Sequence, residues 1–393
     1  MKKNIKNVFV CDGRSRAALS IIRSIGKKNI NVIVGESFKC SSFYSKYALK
    51  KIIYPCPQKE LDEFKKFIID YLFHNKIDVF IPVRDDTTEF VVKNYVDISK
   101  LTSIVVPSKK SFNASRDKSE TIKFARKLDI PHPKTILTEN EKYNIKLLKK
   151  EFHLPILIKP RISSGSRGIK IVYNWDDFEF IFNEVSKEYP FPLIQEFIPH
   201  GGAFGVSVLY DKNKLKAFFT HKRIREFPES GGPSTLREGV HFEEIEKYSF
   251  KLMTDINWNG VAMIEYRIDK KTNEPKLMEI NPRFWGSLET AVFSGVDFPN
   301  LLYELSINKE CDYVLKYKEG KRVRWLFFGD LLWFLNTKKT INNIKSFFVF
   351  KNKNLSYDIF SLNDLGPLYG SFIEAFTSFF KKDRRKHAFK RGW

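Results

Sequence analysis

Three polar residues alternate with apolar ones in Lys276-Leu277-Met278-Glu279-Ile280-Asn281-Pro282-Arg283-Phe284-Trp285-Gly286. On a strand, residues two apart point to the same face. Glu279, Asn281 and Arg283 would then converge on one ligand. Two oxygen donors beside a fixed cation suit a hard metal ion and a polyphosphate. A second acid, Glu265, lies on the apolar run Val261–Asp269, and the polar turn Lys270–Pro275 joins the two runs as a hairpin. Glu265 and Glu279 could face each other across it. Mg²⁺ usually takes one or two carboxylates together with substrate phosphates. The same residues also fit a half-buried hairpin with ordinary surface charges.

Upstream, Leu154-Pro155-Ile156-Leu157-Ile158-Lys159-Pro160 reads as a strand ending in a lysine. The segment Arg161–Lys170 follows and holds Ser163, Ser164, Gly165, Ser166 and Gly168. Small residues let backbone N–H groups approach phosphate oxygens closely. No Gly-Lys-Ser/Thr opens a helix there, so it is not a Walker loop. A Gly/Ser hairpin alone is usually a turn, and Lys159 just before it favours phosphate. Leu193–Pro199, containing Gln195, Glu196, Phe197 and Ile198, is a further buried-looking strand. The run His221-Lys222-Arg223-Ile224-Arg225 is basic, and Pro228–Thr235 has the small residues of a lid or substrate loop.

These groups need a scaffold. Between residues 7 and about 110, strand-like runs (Val8–Cys11, Ile30–Gly35, Ile77–Pro82, Ser103–Pro107) alternate with helical ones (Ala17–Ile25, Leu61–Phe73). That alternation implies βαβ units and a parallel sheet. The loops Asp12–Arg16 and Asp85–Thr87 follow strands, where open α/β sheets bind ligands. The first lacks a full Gly-x-Gly-x-x-Gly, and turn chemistry or helix capping explains both equally well.

The chain has 393 residues, enough for two or three domains. Its hydrophobic content of 42% fits a folded globular protein. The four cysteines have neither metal-ligand spacing nor a disulfide framework, and no His-x-x-x-His pair suggests zinc. No secretory signal or long apolar span is evident, so the expected location is cytoplasmic. The formal charge is +22, but the lysines are dispersed among Asn, Ile and Phe without a single-strand platform. The expectation is an anionic small-molecule substrate and no nucleic acid.

Taken in order, several pieces resemble the ATP-grasp superfamily of carboxylate–amine ligases, of the carbamoyl-phosphate-synthase-like and D-alanine-ligase-like kind. They are Asp117-Lys118 opening a helix, Ile158-Lys159-Pro160 before the glycine loop, Gln195–Ile198, and Glu265 with Glu279-x-Asn281-x-Arg283. The resemblance covers roughly residues 7–307. It implies a fold that is α/β and α+β. A parallel-sheet pre-ATP-grasp domain (1–112) precedes a small lobe (113–192) and a large lobe with the metal site (193–310), then a helical C-terminal extension (311–393). By the same resemblance, Lys118 and Lys159 contact ATP phosphates, and the Ser163–Gly168 loop closes over them. Gln195, Glu196, Phe197 and Ile198 bind adenine, and Glu265, Glu279 and Asn281 hold Mg²⁺ (or Mn²⁺). Arg283, Lys222, Arg223 and Arg225 neutralise transferred phosphate or substrate carboxylate. The family often carries an acid for the ribose just after the hinge strand; His200, Gly201, Gly202 and Ala203 stand there instead. The implied reaction is ATP-dependent amide or peptide bond formation through an acyl phosphate, with a small carboxylate and an amine as substrates. A non-catalytic ATP-binding scaffold at a membrane is the alternative. Homodimers are common among such proteins.

Two apolar, aromatic segments mark the extension, Trp325–Leu335 and Phe372–Phe380, and Lys381–Lys386 with Lys390 and Arg391 form a basic end. Packing of two helices on the core is the first expectation, and peripheral contact with an anionic membrane the second. The tail is similar to that of ATP-grasp proteins of cell-surface polysaccharide or envelope synthesis. That implies an amino acid, an amino sugar or a membrane-linked precursor as acceptor.

Overall fold

The computed structural model describes residues 6–380 except Ser164, Ser166 and Ser230; the basic end expected at 381–391 lies outside the described residues. Strands β1 (Asn7–Val10), β2 (Asn31–Glu36), β3 (Ala48–Ile53) and β4 (Val79–Ile81) form a sheet in the order β3-β2-β1-β4. All its pairs are parallel. Val8–Val10 and Val79–Ile81 are buried, as strands covered on both faces must be. Helices Arg16–Gly26 and Leu61–His74 supply part of that cover, and Ser15 caps the first by accepting from the Ala17 amide.

The small lobe is an antiparallel sheet in the order β5-β8-β6-β7. Its strands are β5 (Thr135–Ile136), β6 (Ile156–Lys159), β7 (Lys170–Val172) and β8 (Leu193–Glu196). Strand β8 hydrogen-bonds within this sheet, so the lobe runs to Glu196 rather than to Pro192. At its other end, Ala125 and Ile130 are buried in the large-lobe core, because the apolar face of helix Lys118–Lys127 is turned that way.

The large lobe has seven strands in the order β13-β12-β9-β10-β11-β14-β15. These are β9 (His200–Asp211), β10 (Lys214–Glu226), β11 (Ser234–Gly239), β12 (Gly260–Asp269), β13 (Pro275–Asn281), β14 (Arg322–Arg324) and β15 (Leu355–Tyr357). Helix Glu243–Asp255 covers one face over Trp258, Tyr266 and Leu277. Phe219 and Met263 on the other face share a core with Val8, Val10 and Phe298, which locks the lobe to the N-terminal sheet.

The extension contributes the expected helices, at Leu331–Asn336, Ile341–Phe347 and Gly366–Phe380. It also lends β14 and β15 to the large sheet. Four of its acids anchor it. Asp330, fully buried, accepts from Arg225 at 2.6 Å, Arg324 at 2.5 Å and Thr235 at 3.0 Å. Asp358 sits between Arg16, at 3.1 Å, and buried Arg237. Asp364 pairs with Arg23 at 2.9 Å and Glu374 with Arg14 at 2.6 Å. Buried carboxylates and guanidiniums tolerate desolvation only in such pairs. Among the described residues no helix is long and apolar enough to cross a membrane.

Candidate active site

The hairpin read from sequence is present. Glu265 on β12 lies directly opposite Glu279 on β13, and Met263 opposite Asn281. Both carboxylates are only partly covered, with side-chain exposures of 21% and 28%, so they border a crevice rather than the core. Glu265 Oε2 accepts from Arg223 Nη2 at 2.5 Å, and Glu265 Oε1 from Asn281 Nδ2 at 3.1 Å. Asn281 Oδ1 accepts from Arg283 Nη2 at 2.9 Å, and Arg283 Nε reaches Asp85 Oδ1 at 3.0 Å. Asp85 opens the helix that follows β4. The N-terminal domain thus lines the same crevice from the C-terminal end of its sheet.

From the small-lobe side come two ammonium groups. Lys118 is the first residue of its helix, and Asp117 caps that helix by accepting from the Ser119 amide at 2.8 Å. Arg161 clasps Asp117 through Nε and Nη2, which fixes the helix start against the glycine loop. Lys118 Nζ lies 3.4 Å from Glu279 Oε2 and donates to the Ser163 carbonyl at 2.9 Å. Lys159, at the end of β6, is 5% exposed. Burial first, and repulsion from Lys118 second, pull its ammonium down to about 8 despite the pull of Glu279. Burial pushes the Glu265 carboxyl up, only partly offset by Arg223. Glu279 meets the same burial, but Lys118, Lys159 and Arg283 outweigh it and hold its carboxyl below the ordinary range.

The donor set fits a hard divalent cation. Two carboxylates and an amide oxygen converge, and each now leans on a neighbouring cation. No group of three His, Cys, Asp or Glu side chains suited to a metal occurs among the described residues. An ion of the Mg²⁺ kind would therefore complete its shell with phosphate and water oxygens, its usual habit.

The remaining expected site residues divide. Gly165 and Gly168 turn the loop with φ of +61° and +73°, and a Cβ on Gly168 would come within 2.6 Å of the Tyr189 ring. Ser164 and Ser166 lie outside the described residues. Gln195 is buried and donates to Thr135 Oγ1 at 2.9 Å. The Glu196 carboxylate accepts from the Lys134 amide at 2.6 Å, so that side chain is turned to the β5 edge. Phe197 is half-buried and Ile198 buried, directly after β8. Of the three β10 residues expected at the site, Lys222, Arg223 and Arg225, Arg223 alone joins the cluster. Lys222 points to the opposite face, exposed beside Phe204. A register shift between Arg223 and Arg225 turns Arg225 towards Asp330, Ser346 and the Trp333 ring.

Two further residues adjoin the cluster. Arg267 shares a row of the sheet with Ala203 and Arg223, and a Cβ on Gly231 of the small-residue loop would meet its Nη2 at 3.4 Å. The alternation that singles out Glu279 and Asn281 also selects Arg267, two residues after Glu265. Arg16 stacks on the Trp325 ring at 4.0 Å and borders exposed Gly286, where a Cβ would lie 3.3 Å from its Nη2. No local sequence signal links Arg16 to Trp325, because the contact spans the whole fold.

The ATP-grasp domain family model matches residues 115–287. The C-terminal section of the carbamoyl phosphate synthase large chain of Methanocaldococcus jannaschii is 24% identical over 234 residues, covering 56% of this chain and 37% of that protein. D-alanine–D-alanine ligase of Rickettsia bellii is 27% identical over 171 residues, covering 38% of this chain and 51% of the ligase. The chain thus spans about half or less of these relatives. The crystal structure of the Campylobacter jejuni biotin carboxylase complex superimposes with a TM-score of 0.66 at 17% identity, covering 81% of this chain and 74% of that one. The paired carboxylates and the two lysines all fall within residues 115–287, the stretch of this chain that matches the ATP-grasp domain model.

Proposed function

We propose that this protein is an ATP-dependent carboxylate–amine ligase that forms an amide bond and releases ADP and phosphate. One observation carries the reading. Lys118 and Lys159 from one side, and Glu265, Glu279, Asn281, Arg223 and Arg283 from the other, border a single crevice where the small lobe, large lobe and N-terminal sheet meet.

Phosphoryl transfer is mostly positioning and charge neutralisation. A carboxylate is a poor acyl donor, and phosphorylation by ATP converts it to an acyl phosphate that an amine can attack. In this scheme Lys118 and Lys159 hold the terminal phosphates, and the Ser163–Gly168 loop covers them. Glu265, Glu279 and Asn281 would hold Mg²⁺, which would supply positive charge against that of the phosphates. Arg223 and Arg283 exchange their present carboxylate and amide partners for transferred phosphate or substrate carboxylate. Closure of the Pro228–Thr235 loop over Arg267 keeps water from the acyl phosphate. No side chain acts as a nucleophile.

The test is ADP release from Mg-ATP across a panel of carboxylates and amines, including amino acids and amino sugars, with products weighed by mass spectrometry. Stimulation that needs both partners, with a product lighter than their sum by one water, is the expected result. Hydrolysis indifferent to every carboxylate would discard the ligase reading.

Lys159 gives this site a pH signature. Between about pH 8 and about pH 10.4 the unfolded chain keeps a proton that the folded chain has released. Stability should therefore rise with pH across that window, and below it the buried ammonium costs on the order of 3 kcal/mol. Mg-ATP affinity should fall over the same rise, because the neutral amine no longer attracts phosphate. Calorimetric titrations at several pH values should show this fall in the parent chain and a flat profile in Lys159→Met. Parallel profiles would remove Lys159 from phosphate binding.

A further inference from the structure

The extension divides its charges sharply. Between residues 331 and 380 the acids are Asp358, Asp364 and Glu374, all buried and paired. The lysines are Lys338, Lys339, Lys345, Lys351 and Lys353, all exposed. The surface of this region thus bears positive charge alone. It also holds 12 of the 25 large apolar side chains exposed among the described residues, although it is about an eighth of the chain.

Those apolar side chains are ordered. In helix Leu331–Asn336, Leu331 and Leu335 lie one turn apart and are exposed. In helix Ile341–Phe347, Ile341 and Ile344 share a face with Phe348 just beyond its end, and all three are exposed, Ile341 by 71%. The opposite face does the packing: Phe347 is buried on Phe334, at 4.0 Å between ring centroids, and under Arg324. Phe350 continues the outward surface. The two short helices touch. They present an apolar ridge to solvent, with lysines along its rim.

We propose that this ridge, residues 331–350, docks on an anionic lipid surface. Leucine, isoleucine and phenylalanine side chains enter the headgroup–acyl boundary, and the lysines stay in the headgroup layer. Charge selects this occupant over a second copy of the chain. A two-fold contact of the ridge with itself would bring lysines against lysines with no exposed acid between them. The inference is independent of the ligase chemistry, since none of these residues borders the crevice.

Flotation of the full chain with vesicles tests it. Phosphatidylcholine vesicles with about 30% phosphatidylglycerol should carry the protein upward, and pure phosphatidylcholine should not. Raising salt from about 0.05 M to about 0.5 M should release it. Reversal of Lys338, Lys339 and Lys345 to Glu should weaken partitioning about 100-fold or more. Leu335→Ser with Ile341→Ser, at two of the most exposed positions of the ridge, should also release the protein, while Mg-ATP affinity and thermal unfolding stay at the parent values and show that the fold is intact. Failure to float with anionic vesicles, or flotation of both variants like the parent, would overturn the proposal. So would a dimer in light scattering that the Leu335→Ser, Ile341→Ser variant dissolves, because the ridge would then be a contact between copies.

Discussion

Glu279→Gln should reduce Mg-ATP turnover by a factor of about 1,000 or more, the scale of losing a main electrostatic contact in phosphoryl transfer. The fold should survive. Glu279 is 28% exposed at its side chain, and Lys118, its partner at 3.4 Å, keeps a hydrogen bond to the Ser163 carbonyl. The amide preserves shape and removes the charge that a divalent ion requires. ADP binding without metal should persist, which separates loss of the ion from loss of the pocket. Near-parental turnover in Glu279→Gln, with circular dichroism confirming the fold, would reject the metal assignment. Asn281→Ala should follow the same course with a smaller loss, since a neutral donor is removed.

The second large effect concerns stability. Asp330→Ala should destabilise the protein by about 3–5 kcal/mol, the cost of stripping the partner from a buried ion pair. Asp330 is fully buried and answers two guanidiniums at once, Arg225 at 2.6 Å and Arg324 at 2.5 Å. Arg324 is itself 1% exposed, and its Nη2 has no hydrogen-bond partner even in the parent structure. Without Asp330, both cations would remain inside the protein with aromatic rings as company. Denaturant unfolding is the measurement. A change within about 0.5 kcal/mol would mean that water reaches the triad and screens it. Removing one of the two stranded charges with Arg324→Met in the Asp330→Ala background should recover part of the loss, which a simple cavity would not allow.

The hairpin that pairs Glu265 with Glu279 was legible because strand periodicity is local. Glu265, Glu279 and Asn281 follow from alternation along two runs and one turn, and the parallel N-terminal sheet follows from the strand–helix rhythm. Lys118 and Lys159 came from a resemblance, and the helix start at Lys118 is set by its own neighbour Asp117. What failed is equally physical. The resemblance grouped Lys222, Arg223 and Arg225 as one basic strand, but the irregular register of β10 against β11 sends Arg223 and Arg225 to different partners. The lobe boundary slipped because Leu193–Glu196 pairs with strands before it rather than with those after it. The strands β14 and β15 are three residues each, too short to show a period. The extension's anchoring acids could not be read as such, since Arg16 and Asp358 meet only after 342 intervening steps of chain have folded.

The manner in which the extension is fastened bears on how this architecture can be divided. Strand β14 covers the edge of β11, and β15 covers β14 in turn. Severing the chain near residue 310 would bare a row of peptide donors and acceptors open to pairing with other chains. It would also leave Arg14, Arg16, Arg23, Arg225 and Arg237 with no counter-charge from this segment. The two-lobed unit here is therefore not a detachable cassette, and its tail is as much a structural member as the sheet it completes.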